Sequence, residues 1–477
     1  MLKNEDTKLL DWLKNNFPNL AQNETIDFEQ LSALLTPQHV VEQFGLSWTG
    51  KKNVLDSFQN QDNSAYKLVE TDCYGDSKTQ NMFIAADNEL ALRALQADYA
   101  NKIKMIYIDP PYNTGNDSFL YADNFKSQTT NTERRAENKE EQQHSAWLSM
   151  MLIRLKLAHH LLKDDGVVFI SIDDAELFNL KLVCDEVFGA DNFIANMVRQ
   201  CKVGSGHDSK HLAIEYDYIL VYAKQKSLVT FNKLSLDVVQ TGQYKLSDAH
   251  EATRGKYYLR DLDYKGTYSA SMDYELTMPD GTPLWSGGKQ GEPNTWRWNR
   301  EKVEWGIAND YIVMKPGKIG WKIYLKQYQY ADNKGNPMER VLPYRASIQF
   351  LNAQGSQEIK ELFGDAMFSF PKSTSLIKHL INACCQDSDI VLDFFAGSAT
   401  TAHAVLDLNV SENKNHTFIC VQLPEPCPPT KSAYKAGYKT IADFSKARIE
   451  KAIDLLKSKI GTEDVRLGFK SFEVGEY

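Results

Sequence analysis

Residues 167–172 read Val-Val-Phe-Ile-Ser-Ile, a run without polar alternation that suits a strand covered on both faces of its sheet. Four other short apolar runs share its setting. Met82 to Ala86 ends at Asp87-Asn88 and is followed by Leu90, Leu92 and Leu95 in a helical stretch. Ile103 to Ile108 ends at Asp109-Pro110-Pro111, and Ser145 to Lys163 then has helical periodicity until Asp165-Gly166 stops it. Ile390-Val391-Leu392 leads into Asp393-Phe394-Phe395-Ala396-Gly397-Ser398-Ala399-Thr400-Thr401 and a helix through His403, Val405 and Leu408. Thr417 to Val421 is the last run. Strands alternating with helices predict a doubly wound α/β sheet.

A chain of 477 residues should hold two or three domains. Residues 1–76 are polar and mostly helical in pattern. From 224 to 364 the texture changes to many aromatics, short runs and turn signals such as Pro279-Asp280-Gly281 and Asn333-Lys334-Gly335. That predicts an inserted mixed or β-rich domain, splitting the α/β unit into 77–223 and 365–477, the second part carrying a C-terminal helix. Lys126 to Gln143 has no large apolar residue and cannot repay its ordering entropy alone. A loop over an active site and a plain disordered insertion are both open for it.

Net charge is −9, yet Arg199 to Arg345 holds 22 Lys and Arg against 17 Asp and Glu, a local +5 inside a remainder of −14. Counterion release needs only local cations, so a nucleic-acid partner stays admissible. No run of about 18 apolar residues could span a bilayer. The N-terminus lacks the basic-then-apolar order of a signal peptide. Seven scattered cysteines without metal-ligand spacing fit free thiols in a reducing compartment. The expectation is a cytoplasmic protein, without a membrane and without a metal.

Two constellations carry chemistry. In Asp109-Pro110-Pro111-Tyr112, at a strand's C-terminal end, successive prolines remove two N–H donors and leave a rigid turn with carbonyls that accept. An exocyclic amino group offers two N–H donors, which the Asp109 carboxylate and the Pro110 carbonyl can satisfy together. Tyr112 can stack on a base that has left its helix. The plain alternative is a strand-ending turn with an N-capping Asp, and the adjoining Asn113-Thr114-Gly115 weakens it. The second, Asp393 to Ser398, is a small-residue turn between strand and helix that lets backbone approach a nucleotide-like ligand. Alone it equally describes an ordinary tight turn.

Taken together, Asp109 to Tyr112 resembles motif IV of amino-methylating DNA methyltransferases, and Asp393 to Thr401 resembles their motif I. Motif IV before motif I is the circularly permuted β class. Within it the likeness is closest to modification subunits of type III restriction systems. Tyr107 to Asn116, Gly166 to Glu176, Phe44 to Lys51 and Gly468-Phe469-Lys470 carry it, over about Gln43 to Glu473. The resemblance implies a Rossmann-like methyltransferase sheet, an inserted target-recognition domain, and adenine-N6 methylation of duplex DNA with S-adenosylmethionine. It also implies partners: double-stranded DNA, a second copy as a homodimer, and a restriction (helicase–nuclease) subunit.

Residue by residue, it implies catalytic roles for Asp109, Pro110, Pro111 and Tyr112. Cofactor contacts are implied for Asp87 and Asn88 (like motif III), Lys372 and Ser373 (like motif X), and Asp393, Phe395, Gly397, Ser398 and Thr400. The ribose position falls on Gln422, with Glu425 as the acidic candidate nearby. Phe394 stands where many relatives have Pro and Ala399 where many have Gly, both compatible with the turn. The chain also ends soon after Phe472, sooner than such subunits usually do, which puts a restriction partner in doubt.

His144, Trp147 and Arg154 read as packing and capping residues. Asp173, Asp174 and Glu176 read as caps of the next helix rather than metal ligands. In the middle domain Trp285, Trp296, Trp298, Trp305 and Trp321 interleave with Arg297, Arg300, Lys315, Lys318, Lys322 and Lys326. Most of these tryptophans should be core. Arg297, Arg300 and Lys322 are the DNA-binding candidates, Arg for bases and Lys for phosphates. Cytosine-N4 methylation, or a DNA-specificity subunit with a dead site, are the competing readings.

Overall fold

The computed structural model describes residues 21–22, 25–26, 45–60, 65–114, 139–204, 211–235, 242–291, 294–318, 320–339, 341–460 and 467–476. Most of 1–44 and 126–143 lie outside them.

The main elements in chain order are α1 (Lys51–Asn60), β1 (Tyr66–Gly75), β2 (Met82–Ala85), α2 (Asn88–Tyr99), β3 (Ile103–Ile108), α3 (Lys139–Leu161), β4 (Leu162–Ile172), α4 (Leu177–Phe188), β5 (Phe193–Gln200) and β6 (Tyr216–Ala223). After the middle segment come β7 (Ser347–Gln349), α5 (Asn352–Phe363), α6 (Thr374–Cys384), β8 (Ile390–Asp393), α7 (Thr400–Ser411), β9 (Thr417–Gln422), α8 (Ile441–Ile460) and β10 (Gly468–Glu476). One ten-stranded sheet runs β7-β5-β6-β4-β3-β8-β9-β2-β10-β1. Its six central strands, β4 to β10 in that order, are parallel. Both faces are covered, as the apolar runs require: Ile106 and Ile108 of β3 pack with Leu92, Trp147 and Leu152 on one side. Met105 and Tyr107 pack with Leu376, Ile377, Ala402 and Ile449 on the other.

Three strands depart from the sequence reading. Tyr66–Gly75, within the stretch read as helical, is the edge strand β1; its polar, largely exposed pattern hides it. It pairs antiparallel with β10, which follows the C-terminal helix. Ser347–Gln349, read as part of the middle domain, pairs parallel with β5 of the main sheet.

The middle segment has its own core of Leu262, Tyr274, Leu276, Met278, Trp296, Trp298, Val303, Tyr311, Ile323, Leu325 and Tyr328. A three-stranded antiparallel sheet (Tyr257–Asp261, Gly320–Tyr328, Ile312–Gly317) and the helix Arg300–Ala308 supply Val303, Ile323, Leu325 and Tyr328, and the short strands and loops between them supply the rest. Trp296 and Trp298 are buried there, and Trp305 and Trp321 pack on its edge.

Candidate active site

β3 hands on to β4 through α3, while its neighbour β8 hands on to β9 through α7, on the opposite side. Between diverging connections an open α/β sheet leaves a crevice at its carboxyl edge. A cavity of about 360 Å³ occupies it, within the range of small-molecule sites. Asp87, Asn88, Asp109, Pro111, Lys372, Asp393, Phe395, Gly397, Ser398, Thr400, Gln422 and Glu425 line it. The structure thus brings together the two constellations, which lie 284 residues apart in the chain from Asp109 to Asp393.

Asp109 ends β3. Lys372 Nζ donates to both its oxygens, at 2.6 and 2.7 Å, and to the Tyr112 hydroxyl at 3.0 Å. Tyr112 in turn donates to Asp109 Oδ1 at 2.8 Å. Burial and the Asp109 charge push the Tyr112 hydroxyl well above its usual pKa, so it stays a donor. Trp147 Nε1 donates to the Pro111 carbonyl at 2.7 Å.

The Asp393 turn is held from beneath. Asp393 is buried, accepting from Thr401 Oγ1 at 2.5 Å and from the Phe395 N–H at 3.1 Å. Burial pushes its carboxyl up to about 7 and Asp109 adds to that, while Thr401, Phe395 and Lys372 hold it back. Gly397 and Ala399 both take the left-handed conformation, at φ 52° and 60°. For Ala399 this costs roughly 1–2 kcal/mol relative to a right-handed residue. Gln422 Oε1 accepts from the Gly397 N–H at 2.7 Å. Asn88 Nδ2 donates to the Phe394 carbonyl, and Asp87 caps α2 while facing Arg154 at 3.3 Å.

Some expected residues sit elsewhere. Pro110, Tyr112 and Ser373 are absent from the cavity lining; the Ser373 hydroxyl caps α6, accepting from the Leu376 N–H at 3.3 Å. Lys372 reaches Asp109 rather than standing only on the cofactor side. Glu176 caps α4 in backbone position alone: its side chain makes no capping bond and points to His144, Asn113 and Asn179. Asp173 does bond the Ala175 N–H at 3.0 Å, and Asp174 accepts from Tyr218. Lys326 is buried against Asp248 at 2.5 Å, which removes it from the exposed cations. Arg297 donates to the Asp261 carbonyl and lies over Tyr264, Arg300 donates to the Glu275 carbonyl, and Lys322 is exposed opposite Lys315 on a hairpin.

Sequence reasoning missed what supports the turn. Arg448 of α8 is fully buried, donating to Ser398 Oγ at 2.7 Å and Thr400 Oγ1 at 2.6 Å and pairing with Glu358 at 3.1 Å. Burial lowers its pKa to about 10. Glu358 also accepts from the Thr374 N–H and hydroxyl. A charged residue inside an amphipathic helix reads as solvated, and nothing local marked Arg448 otherwise.

A DNA methylase family profile matches residues 103–426. The chain is 35% identical to the type III restriction-modification enzyme StyLTI Mod subunit of Salmonella typhimurium, over 85% of this chain and 62% of that one. It is 32% identical to the EcoPI Mod subunit of Escherichia phage P1, over 98% of this chain and 77% of the relative. It is also 32% identical to the type II methyltransferase M.KpnI of Klebsiella pneumoniae, over 80% and 89%. The chain therefore belongs to the DNA methylase family, and type III modification subunits are among its relatives.

Proposed function

We propose that the chain methylates the N6 amino group of adenine at a specific sequence in duplex DNA. The observation that carries this is the meeting of Asp109 and Pro111 with the Asp393-to-Thr401 turn on one cavity. S-adenosylmethionine, when bound, supplies a methyl group on a cationic sulfur. The cavity fits it: Phe395 offers an aromatic wall, Asp393 a buried carboxylate for a cationic end, and Gly397 close backbone. Gln422 and Glu425 both line the cavity and are the candidates for the ribose hydroxyls, the Gln422 oxygen also taking the Gly397 N–H.

Asp109 receives the amine. A carboxylate has about four lone-pair sites. Lys372 uses one on each oxygen and Tyr112 one on Oδ1, so among the described residues Oδ2 carries the lighter load. Oδ2 and the Pro110 carbonyl accept the two N–H bonds, which draws the nitrogen lone pair out of conjugation and aims it toward the cavity. Asp before Pro-Pro, rather than Ser, favours adenine. The separate core around Trp296 and Tyr328 supplies sequence recognition, with Arg297 or Arg300 reading bases and Lys322 meeting phosphate. Assembly with a restriction subunit extends to this chain the restriction-modification enzymes that the relatives named Mod subunits belong to, and a homodimer is proposed beside it.

Nucleoside mass spectrometry of plasmid DNA exposed to the protein and S-adenosylmethionine tests the reading, with long-read sequencing to locate the motif. N6-methyladenine at one motif is the expected result. N4-methylcytosine would replace the base assignment, and cofactor binding without any methylated nucleoside would leave a specificity subunit.

A further inference from the structure

The carboxylate of Glu176 has no exposed surface, yet it makes no capping bond to the helix that it precedes. It sits at the N-terminus of α4, where the helix dipole favours an anion. Its oxygens turn away from that helix's N–H groups to three side-chain donors. His144 Nδ1 and Asn113 Nδ2 meet Oε1 at 2.6 and 2.7 Å, and Asn179 Nδ2 meets Oε2 at 2.8 Å. Asn113 directly follows Tyr112 and is left-handed, at φ 59°, a conformation that asparagine adopts more readily than other non-glycine residues. On the other side of Tyr112, Trp147 Nε1 holds the Pro111 carbonyl at 2.7 Å. His144 and Trp147 are three residues apart on α3 and share a face.

We propose that Glu176 and His144 form a brace that positions the Asp109-to-Tyr112 turn, with α3 gripping the turn on both flanks of Tyr112. The inference rests on the amino-methyltransferase reading. Tyr112 lies between the two grips and delivers its hydroxyl to Asp109. A misplacement of about 1 Å can cost a factor of 10² in rate, so a slack brace lowers transfer without touching the cofactor. Glu176 and His144 are positioning residues; neither lines the cavity.

The test compares wild type with His144→Ala, His144→Asn and Glu176→Gln. The His144 side chain is 41% exposed, so its replacement leaves the core closed. Three quantities are measured: kcat on a saturating target duplex, Kd for S-adenosylmethionine, and hydrogen exchange at the Tyr112, Asn113 and Thr114 amides. His144→Ala should lower kcat about 10- to 100-fold with Kd changed less than about twofold, and should speed exchange at those amides. Asn can place an N–H where Nδ1–H stood, so His144→Asn should recover both readouts. Glu176→Gln keeps an oxygen that can accept from His144 and Asn113 but loses the charge, so it should lower kcat less than His144→Ala does. The brace is overturned if His144→Ala keeps wild-type kcat and protection, if His144→Asn is equally impaired, or if the loss appears in Kd instead. A wild type that methylates no DNA refutes the functional reading, while exchange at the turn still decides the brace.

Discussion

Lys372 Nζ lies 2.6 and 2.7 Å from the two carboxylate oxygens of Asp109, bridging the segment before α6 to the end of β3. The cation holds the carboxylate in place, and among the described residues Oδ2 carries one bond where Oδ1 carries two. Asp109→Ala should abolish methyl transfer, by at least about 10³-fold, while S-adenosylmethionine binds within about tenfold of wild type. Turnover assays paired with equilibrium binding check this, and near-normal turnover on the target duplex would remove Asp109 from the chemistry.

Tyr112→Phe and Tyr112→Ala separate the ring from the hydroxyl. The first removes the bonds to Asp109 and Lys372 and keeps a stacking face; the second removes both. We expect about a tenfold loss of kcat for Phe and a deeper loss for Ala, since base–aromatic stacking is worth roughly 1–3 kcal/mol. Duplex affinity should stay close to wild type in both. With 2-aminopurine at the target position, the fluorescence rise on binding should survive in Phe and shrink in Ala.

Asp393 gives a pH signature. Its folded pKa is raised from 3.8 to about 7 by burial, so native structure favours the protonated acid. The stability it contributes is fully present below about pH 4 and is lost as pH rises through 7. Asp393→Asn should flatten this part of the stability profile, which denaturant titrations from pH 4 to 8 will show. Parallel curves for the two proteins would contradict the raised pKa. A cationic ligand beside Asp393 draws it to the anion, so S-adenosylmethionine binding near pH 6 should release a proton, seen as a buffer-dependent enthalpy.

Removing Arg448 leaves Glu358 without its main cation in a largely enclosed place. Arg448→Ala should cost about 3–5 kcal/mol, measured by chemical denaturation, and cofactor affinity should fall as the Ser398–Thr400 turn loosens. Arg448→Met with Glu358→Gln should regain much of the stability and little of the affinity.

How far such residues could be read beforehand depends on whether their signal was local. Ile103 to Ile108 and Val167 to Ile172 announce buried strands by composition alone, and the turns after Ile108 and Leu392 carry unusual residue types in a row. Tyr66–Gly75 has no such mark, because an edge strand exposed along most of its length looks like any polar stretch. Arg448, Glu176 and Arg154 acquire their roles from partners far away in the chain: Glu358 is 90 residues from Arg448, and Asn113 is 63 from Glu176. Spacing within one helix cannot report that. Ser373 shows the converse, a residue noticed for a ligand and placed as a helix cap.

In the middle segment Arg297 and Lys322 should differ in kind. Arg297 is anchored by the Asp261 carbonyl and keeps further donors; its loss should relax specificity at one base pair, at about 1–3 kcal/mol. Lys322→Ala should weaken binding to all sequences and reduce the salt slope by about one. Binding isotherms on matched and single-mismatch duplexes at several salt concentrations distinguish the two.

The pairing of β1 with β10 has a consequence for the order of events during synthesis. Thr71 Oγ1 donates to the Ser471 carbonyl across 400 residues, and among the described strands β10 alone joins β1 to the rest of the sheet. At about 5–20 residues per second on the ribosome, β1 waits roughly 20–80 s for its partner strand. β2 in turn has no partner strand until β9 is made, and from then until β10 follows, roughly 2–10 s later, β2 is the outer edge of the sheet with its hydrogen-bonding groups unpaired on one side. The nascent chain is therefore most vulnerable to edge-to-edge association just before its last strand emerges, and a chaperone that shields strand edges should raise its yield more than one that only delays collapse.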